Sequence, residues 1–221
     1  MAIDYLTELK KYAMQETAGI DSPTFERVCQ DIVREFCEQS QGWIEELDPM
    51  NLRVDVRDYE LEAPNNYSAI ILPLRVRIFE DDAEPVHPDA EQQAPYFQYN
   101  MDVVPGRCTL TLVYTPDRNQ TKALKVQVAL RPRRDKRLIC ERLFDDWYQI
   151  WAFGVMARLM MMPNKQWSDH RMANYYQGKY WEGIGRARID RNRRFMNREM
   201  FAFSRFKFAE GGFFNRGRKS F

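Results

Sequence analysis

Phe25, Val28, Cys29, Ile32, Val33 and Phe36 recur three and four residues apart, which gives a helix one apolar side. The spacing predicts a helix over residues 22–40, with Ser22 as its cap, Pro23 in its first turn and Gly42 past its end. A weaker stripe through Ile3, Leu6 and Ala13 predicts a preceding helix within 3–18. The period then changes to two. Leu52, Val54 and Val56 alternate with polar residues, as do Leu74, Val76 and Ile78, then Leu110, Leu112 and Tyr114, then Leu124, Val126, Val128 and Leu130. These mark a β region over about 51–131. Pro73 places its strand at an edge, or bulges it, because proline cannot donate to a ladder. The turn formers of Thr115-Pro116-Asp117-Arg118-Asn119-Gln120 predict a hairpin joining the last two strands. A long acidic, proline-bearing loop over roughly Glu80 to Asn100 separates the strand pairs.

Helical spacing returns afterwards. Leu143, Trp147, Ile150, Trp151, Gly154 and Ala157 line one face of a helix over about 137–161, with Pro163 beyond its end. Ser168 is the expected cap of a further helix over about 168–190, running through Met172, Tyr175, Tyr176, Tyr180 and Ile184. Gly178, Gly183 and Gly185 weaken it, and either admit a neighbouring backbone or mark a break. The expected fold class is α+β: a helical bundle, one N-terminal helix plus two long C-terminal ones, beside a small antiparallel sheet. One domain over 1–188 precedes an extended arm over 189–221.

Composition is ordinary for a globular chain, at 29% charged and 44% apolar. The overall charge of +1 hides an asymmetry, because Arg186–Phe221 holds eleven Lys/Arg against three acids, together with eight phenylalanines. A solvated tail is poor in aromatics, so this one calls for a partner. Phe201 and Phe203 alternate with Ala202, and Phe206 and Phe208 with Lys207, each pair showing one face of an extended strand. Three readings follow: the arm covers its own core, grips nucleic acid, or docks in a groove or on a sheet edge of another subunit. Its basic character favours the last. The candidate partner-binding residues are Phe201, Phe203, Arg205, Phe206, Lys207, Phe208, Phe213, Phe214 and Arg216.

Catalytic constellations are missing. His87 and His170 have no HxH or HExxH spacing, the four cysteines have no CxxC pairing, and no phosphate loop, dinucleotide fingerprint or nucleophile elbow occurs. No catalytic residue, cofactor or metal ligand is expected, nor a membrane span, since the apolar run Ile150–Met162 is short and interrupted by Arg158. The cysteines are expected to be reduced, with Cys29 and Cys37 buried in the first long helix. Trp147, Trp151, Trp167, Tyr175 and Tyr176, at helical spacing, are expected in core or subunit contacts.

Leu143-Phe144-Asp145-Asp146-Trp147, Met162-Pro163-Asn164-Lys165-Gln166-Trp167-Ser168-Asp169, Ala173-Asn174-Tyr175-Tyr176 and Gly183-Ile184-Gly185-Arg186-Ala187-Arg188 follow in order. The series resembles the C-terminal helical pair of head-to-tail adaptor (connector) proteins of tailed bacteriophages, especially short-tailed ones. Gln41-Gly42-Trp43 and Asp58-Tyr59-Glu60-Leu61 add to the likeness, which covers most of 22–188. The resemblance implies a virion protein assembled in the host cytoplasm: a ring, commonly a dodecamer, fastened beneath the portal. Such a ring carries the tail nozzle or hub and lets DNA pass, and its C-terminal segments often engage the portal. Alternatives are a nucleic-acid-binding protein using the Arg/Phe-rich tail and a tail-completion or stopper protein.

Overall fold

The computed structural model describes residues 2–13, 19–78, 97–101, 108–112 and 115–195, which form four helices and nine strands in an α+β arrangement. The arm residues Phe201, Phe203, Arg205, Phe206, Lys207, Phe208, Phe213, Phe214 and Arg216 lie outside the described residues, as do 79–96 of the acidic loop.

The chain opens with β1 (Ala2–Asp4) and α1 (Tyr5–Ala13). The Asp4 carboxylate accepts from Leu6 N at 3.0 Å, so the first helix starts at Tyr5 and not at residue 3. Next comes α2 (Ser22–Ser40), which buries the whole stripe from Phe25 to Phe36. Its cap is Asp21 and not Ser22: the Asp21 carboxylate accepts from Thr24 N at 3.0 Å. Gln41, left-handed at φ 52°, ends the helix by donating its N–H to Cys37 O. All four cysteines are free, with Cys29, Cys37 and Cys108 buried.

The longest strand, β8 (Gln120–Pro132), organises the main sheet. On one side it pairs with β5 (Ser68–Ile78), and on the other with β2 (Ile44–Glu46) and β3 (Met50–Leu52). Register shifts flank Pro73, and among the described residues β5 pairs only with β8, so the proline sits at both a bulge and an edge. A three-stranded sheet holds β4 (Asp58–Leu61), β7 (Cys108–Leu112) and β6 (Phe97–Met101), in the order β4-β7-β6. The last residues of the expected acidic loop are therefore strand.

The expected hairpin between β7 and β8 does not form, since the two strands belong to different sheets. The turn at 115–120 is stitched to the Arg53–Arg57 corner instead. Val54 N donates to Asn119 Oδ1 at 2.8 Å, Arg57 Nε to Thr115 Oγ1 at 2.8 Å, and Asp55 N to Pro116 O at 3.4 Å. Val54 itself lies beyond the end of β3 and is exposed, contrary to the strand expected through it.

A short strand, β9 (Leu138–Cys140), pairs with β1 and takes the residues expected to begin the next helix, so α3 runs Glu141–Met160. The last helix, α4, spans His170–Phe195. The Asp169 carboxylate caps it, accepting from Arg171 N at 2.9 Å and Met172 N at 3.0 Å. Ser168 does not, as its hydroxyl faces Met160 O. The helix continues past Asp190, so the expected boundary of the arm at 189 falls inside it. A single apolar core joins the helices to both larger sheets.

Candidate assembly surface

The inner side of α4 is built from Ala173, Tyr176, Tyr180, Ile184 and Ala187, all buried at helical spacing against α2 and α3. Glycine sets how closely these helices meet. A Cβ on Gly154 would stand 2.8 Å from both Ile32 Cγ2 and the Tyr180 ring, and one on Gly183 would stand 2.3 Å from Ile150 Cγ2. The Tyr180 hydroxyl donates to Ile32 O at 3.1 Å, and desolvation pushes its pKa far above the ordinary phenol range. At the far end, Arg188 donates to Gln39 O at 2.7 Å and Gln39 Oε1 at 2.8 Å, and Arg191 donates to Gln41 Oε1. Both guanidinium groups thus sit at the C-terminal, electronegative end of α2. The pairing of Arg158 with Glu35 at 2.6 Å adds a tie between α3 and α2. The helix is held firmly enough to present its other side in a fixed orientation.

That other side is unusual. Gly178 and Gly185, two turns apart, have no atom within 4 Å of where a Cβ would stand. A glycine in a helix interior costs about 1 kcal/mol relative to alanine. Gly154 and Gly183 offset that cost through internal packing, whereas Gly178 and Gly185 gain nothing from the described fold. Around them Tyr175 is 55% exposed, Trp181 46% and Ile189 53%, all on the solvent side of the same helix. Polar residues flank the apolar ones. Glu182 accepts from Lys179 at 3.2 Å and from Arg186, and these hydrogen bonds hold its carboxyl below the usual range. A bare backbone between exposed rings is the geometry that lets a second helix come close.

The five aromatics expected to act together are divided by the structure. Trp151 is fully buried, edge-on to Phe36 and Phe144, and Tyr176 is buried and stacked on Phe153. Trp147 is half-buried against Phe36, and Trp167 is half-buried with Lys165 Nζ 5.8 Å above its ring. Tyr175 alone of the five projects into solvent. Met172, expected on the inner stripe, is also exposed. Sequence reading missed Trp181 and Ile189, and assigned no face to Gly178 or Gly185. The signal was present: 178 and 185, like 175, 182 and 189, repeat every seven residues opposite the stripe of Tyr176, Tyr180 and Ile184.

The remaining chemistry is sparse. Among the described residues no group of three or more His, Cys, Asp or Glu stands close enough to hold a metal ion. No described helix is long and apolar enough to cross a membrane. A cavity of about 160 Å³ lies between α2, α3 and α4, bordered by Ile32, Tyr180, Trp181 and the Arg158–Glu35 pair. No protein-family model matches the chain, and no curated protein matches it.

Proposed function

We propose that the chain is a structural subunit of a tailed bacteriophage, assembling into a ring that joins the capsid portal to the tail and lets DNA pass. The observation that carries this reading is the outer side of α4, where Gly178 and Gly185 bare the backbone between Tyr175, Trp181 and Ile189. Glycines that cost stability in the monomer make sense if a second copy packs against them. The order of elements supports the same reading, because α3 and α4 occupy the stretches that resemble the adaptor helical pair. In this reading the basic, phenylalanine-rich segment after Phe195 supplies the grip on the portal, and its function is adhesive rather than catalytic.

The test is imaging and mass measurement of purified full-length protein, alone and mixed with portal. Rings docked end to end on portals are the expected result, and removal of 196–221 should abolish docking while leaving the α4 contacts in place. The eleven Lys/Arg of Arg186–Phe221 favour one rival, a nucleic-acid-binding protein. Monomers coating DNA, with affinity falling steeply as salt rises, would establish that rival and overturn the adaptor reading.

A further inference from the structure

The open side of β4 forms a second surface. Leu112 N donates to Arg57 O at 2.9 Å, which makes 57 and 112 a hydrogen-bonded pair. Such pairs alternate along an antiparallel ladder, so Tyr59 opposite Leu110 and Leu61 opposite Cys108 aim their N–H and C=O groups at β7. Asp58 and Glu60 aim theirs the other way, where no strand of the described residues lies. Side chains alternate as well, with Asp58 and Glu60 exposed and Tyr59 and Leu61 buried. Asp58 also accepts from Thr111 Oγ1 at 2.6 Å, which keeps its carboxylate on the outer face. Two open depressions of about 360 and 400 Å³ meet at Glu60 along this edge. Met50, Val56 and Tyr59 supply the apolar lining of one, and Leu61, Ala63 and Pro64 that of the other. A strand edge of this kind is a template for another chain unless something covers it.

We propose that residues 205–208 of a neighbouring copy add to this edge as an extra strand. Arg205-Phe206-Lys207-Phe208 has the same two-residue phase as Asp58-Tyr59-Glu60-Leu61. Paired side by side, the guanidinium and ammonium groups meet the carboxylates on the solvent face, and the two rings meet Tyr59 and Leu61 on the apolar face. Residues 201–208 contain no acid, so no like charge opposes Asp58 or Glu60. Main-chain hydrogen bonds give such strand addition its affinity, and the alternating side chains fix its register. Residues 196–204 separate α4 from the pairing segment, a reach of about 30 Å at ~3.3 Å per residue. Gly211-Gly212 ends the run and leaves Phe213, Phe214 and Arg216 for the portal. The inference rests on the self-assembly part of the proposed function, not on the portal contact.

The experiment co-expresses two differently tagged full-length chains, one carrying Glu60→Cys and the other Lys207→Cys or Arg205→Cys, and oxidises the purified assembly. A disulfide joining the two tags is expected, absent when either variant is expressed alone. Adding Arg205→Glu to the Lys207→Cys chain should lower its yield at least five-fold, and Asp58→Lys in the Glu60→Cys chain should restore it. Rings that form without any disulfide between tags would overturn this inference alone. So would a disulfide confined to single chains carrying both substitutions. A protein that stays monomeric would overturn the self-assembly reading with it.

Discussion

Gly183 lies directly against Ile150: a Cβ built on the glycine would stand 2.3 Å from Ile150 Cγ2, closer than real side chains pack. Gly183→Ala should therefore destabilise the fold despite alanine's better helix propensity. Overpacking a dense core costs roughly 1–3 kcal/mol, against about 1 kcal/mol gained from propensity. Denaturant unfolding of Gly183→Ala, Ile150→Val and the double variant should give a non-additive cycle, the smaller Ile150 side chain relieving the clash. Additivity would mean that the two residues do not set the spacing of α3 and α4.

The outer glycines should behave in the opposite way. Gly178→Ala and Gly185→Ala meet no atom within 4 Å, so each should stabilise the isolated subunit, by up to about 1 kcal/mol. The same substitutions should weaken association if a neighbouring backbone packs there. Unfolding midpoints and sedimentation mass, measured on the same samples, should move in opposite directions. Stability that rises with no loss of association would remove the main support for the assembly surface.

Trp181 gives a complementary test. It is 46% exposed, so Trp181→Ala should change subunit stability less than truncation of a core aromatic, which costs about 3–5 kcal/mol. Its effect should fall on association, because a desolvated aromatic at an interface commonly contributes 2 kcal/mol or more. Trp151→Ala is the contrasting control, since Trp151 is fully buried and its loss should unfold the protein.

The cap of α2 gives a pH dependence. Hydrogen bonds from Thr24 hold the Asp21 carboxyl below its ordinary range. A depressed carboxyl stabilises the fold above its unfolded pKa of about 4 and loses that contribution as pH falls through the folded value. The stability gap between the native protein and Asp21→Ala should thus be constant near neutrality and close in acid. Asp21→Asn, which keeps an acceptor without a titrating proton, should not show this closure. Thermal melts from pH 7 to pH 3 would decide.

What the sequence made legible follows from which signals are local. The α2 stripe from Phe25 to Phe36 is a pure periodicity, and the structure buries all of it. Pro73 carries its own constraint, the missing donor, and sits at a bulged edge. The hairpin failed because turn formers at 115–120 say that the chain turns, not which strand it rejoins; hydrogen bonds to Val54 and Arg57, some sixty residues away in sequence, redirect it. Caps shifted by a single residue, from Ser22 to Asp21 and from Ser168 to Asp169, because adjacent residues of both pairs have capping chemistry. On α4, Tyr175 and Tyr176 were read as a pair. Neighbours on a helix point about 100° apart, so Tyr176 entered the core and Tyr175 remained outside. The outer surface could not be read from composition, because its informative residues are two glycines whose environment only coordinates reveal.

Arg188 gives the last prediction, which concerns motion rather than global stability. Its guanidinium bonds both the backbone and side-chain oxygens of Gln39, and Arg191 reaches Gln41 beside it. Beyond Ala187 the buried stripe of α4 ends, and Arg188 and Ile189 are exposed while Asp190 and Arg191 are only half-buried. Few apolar contacts hold this last part of the helix, so these polar ties carry a large share of its local stability. Arg188→Met keeps side-chain bulk and helix propensity but removes both bonds. Global unfolding should shift by no more than about 1 kcal/mol, in keeping with exposed hydrogen bonds. Amide exchange at 188–195 should accelerate markedly, while 173–184, packed against α2 and α3, keeps its protection. Uniform acceleration along α4 would instead show that the helix opens as one unit and that its C-terminal part is no separate hinge.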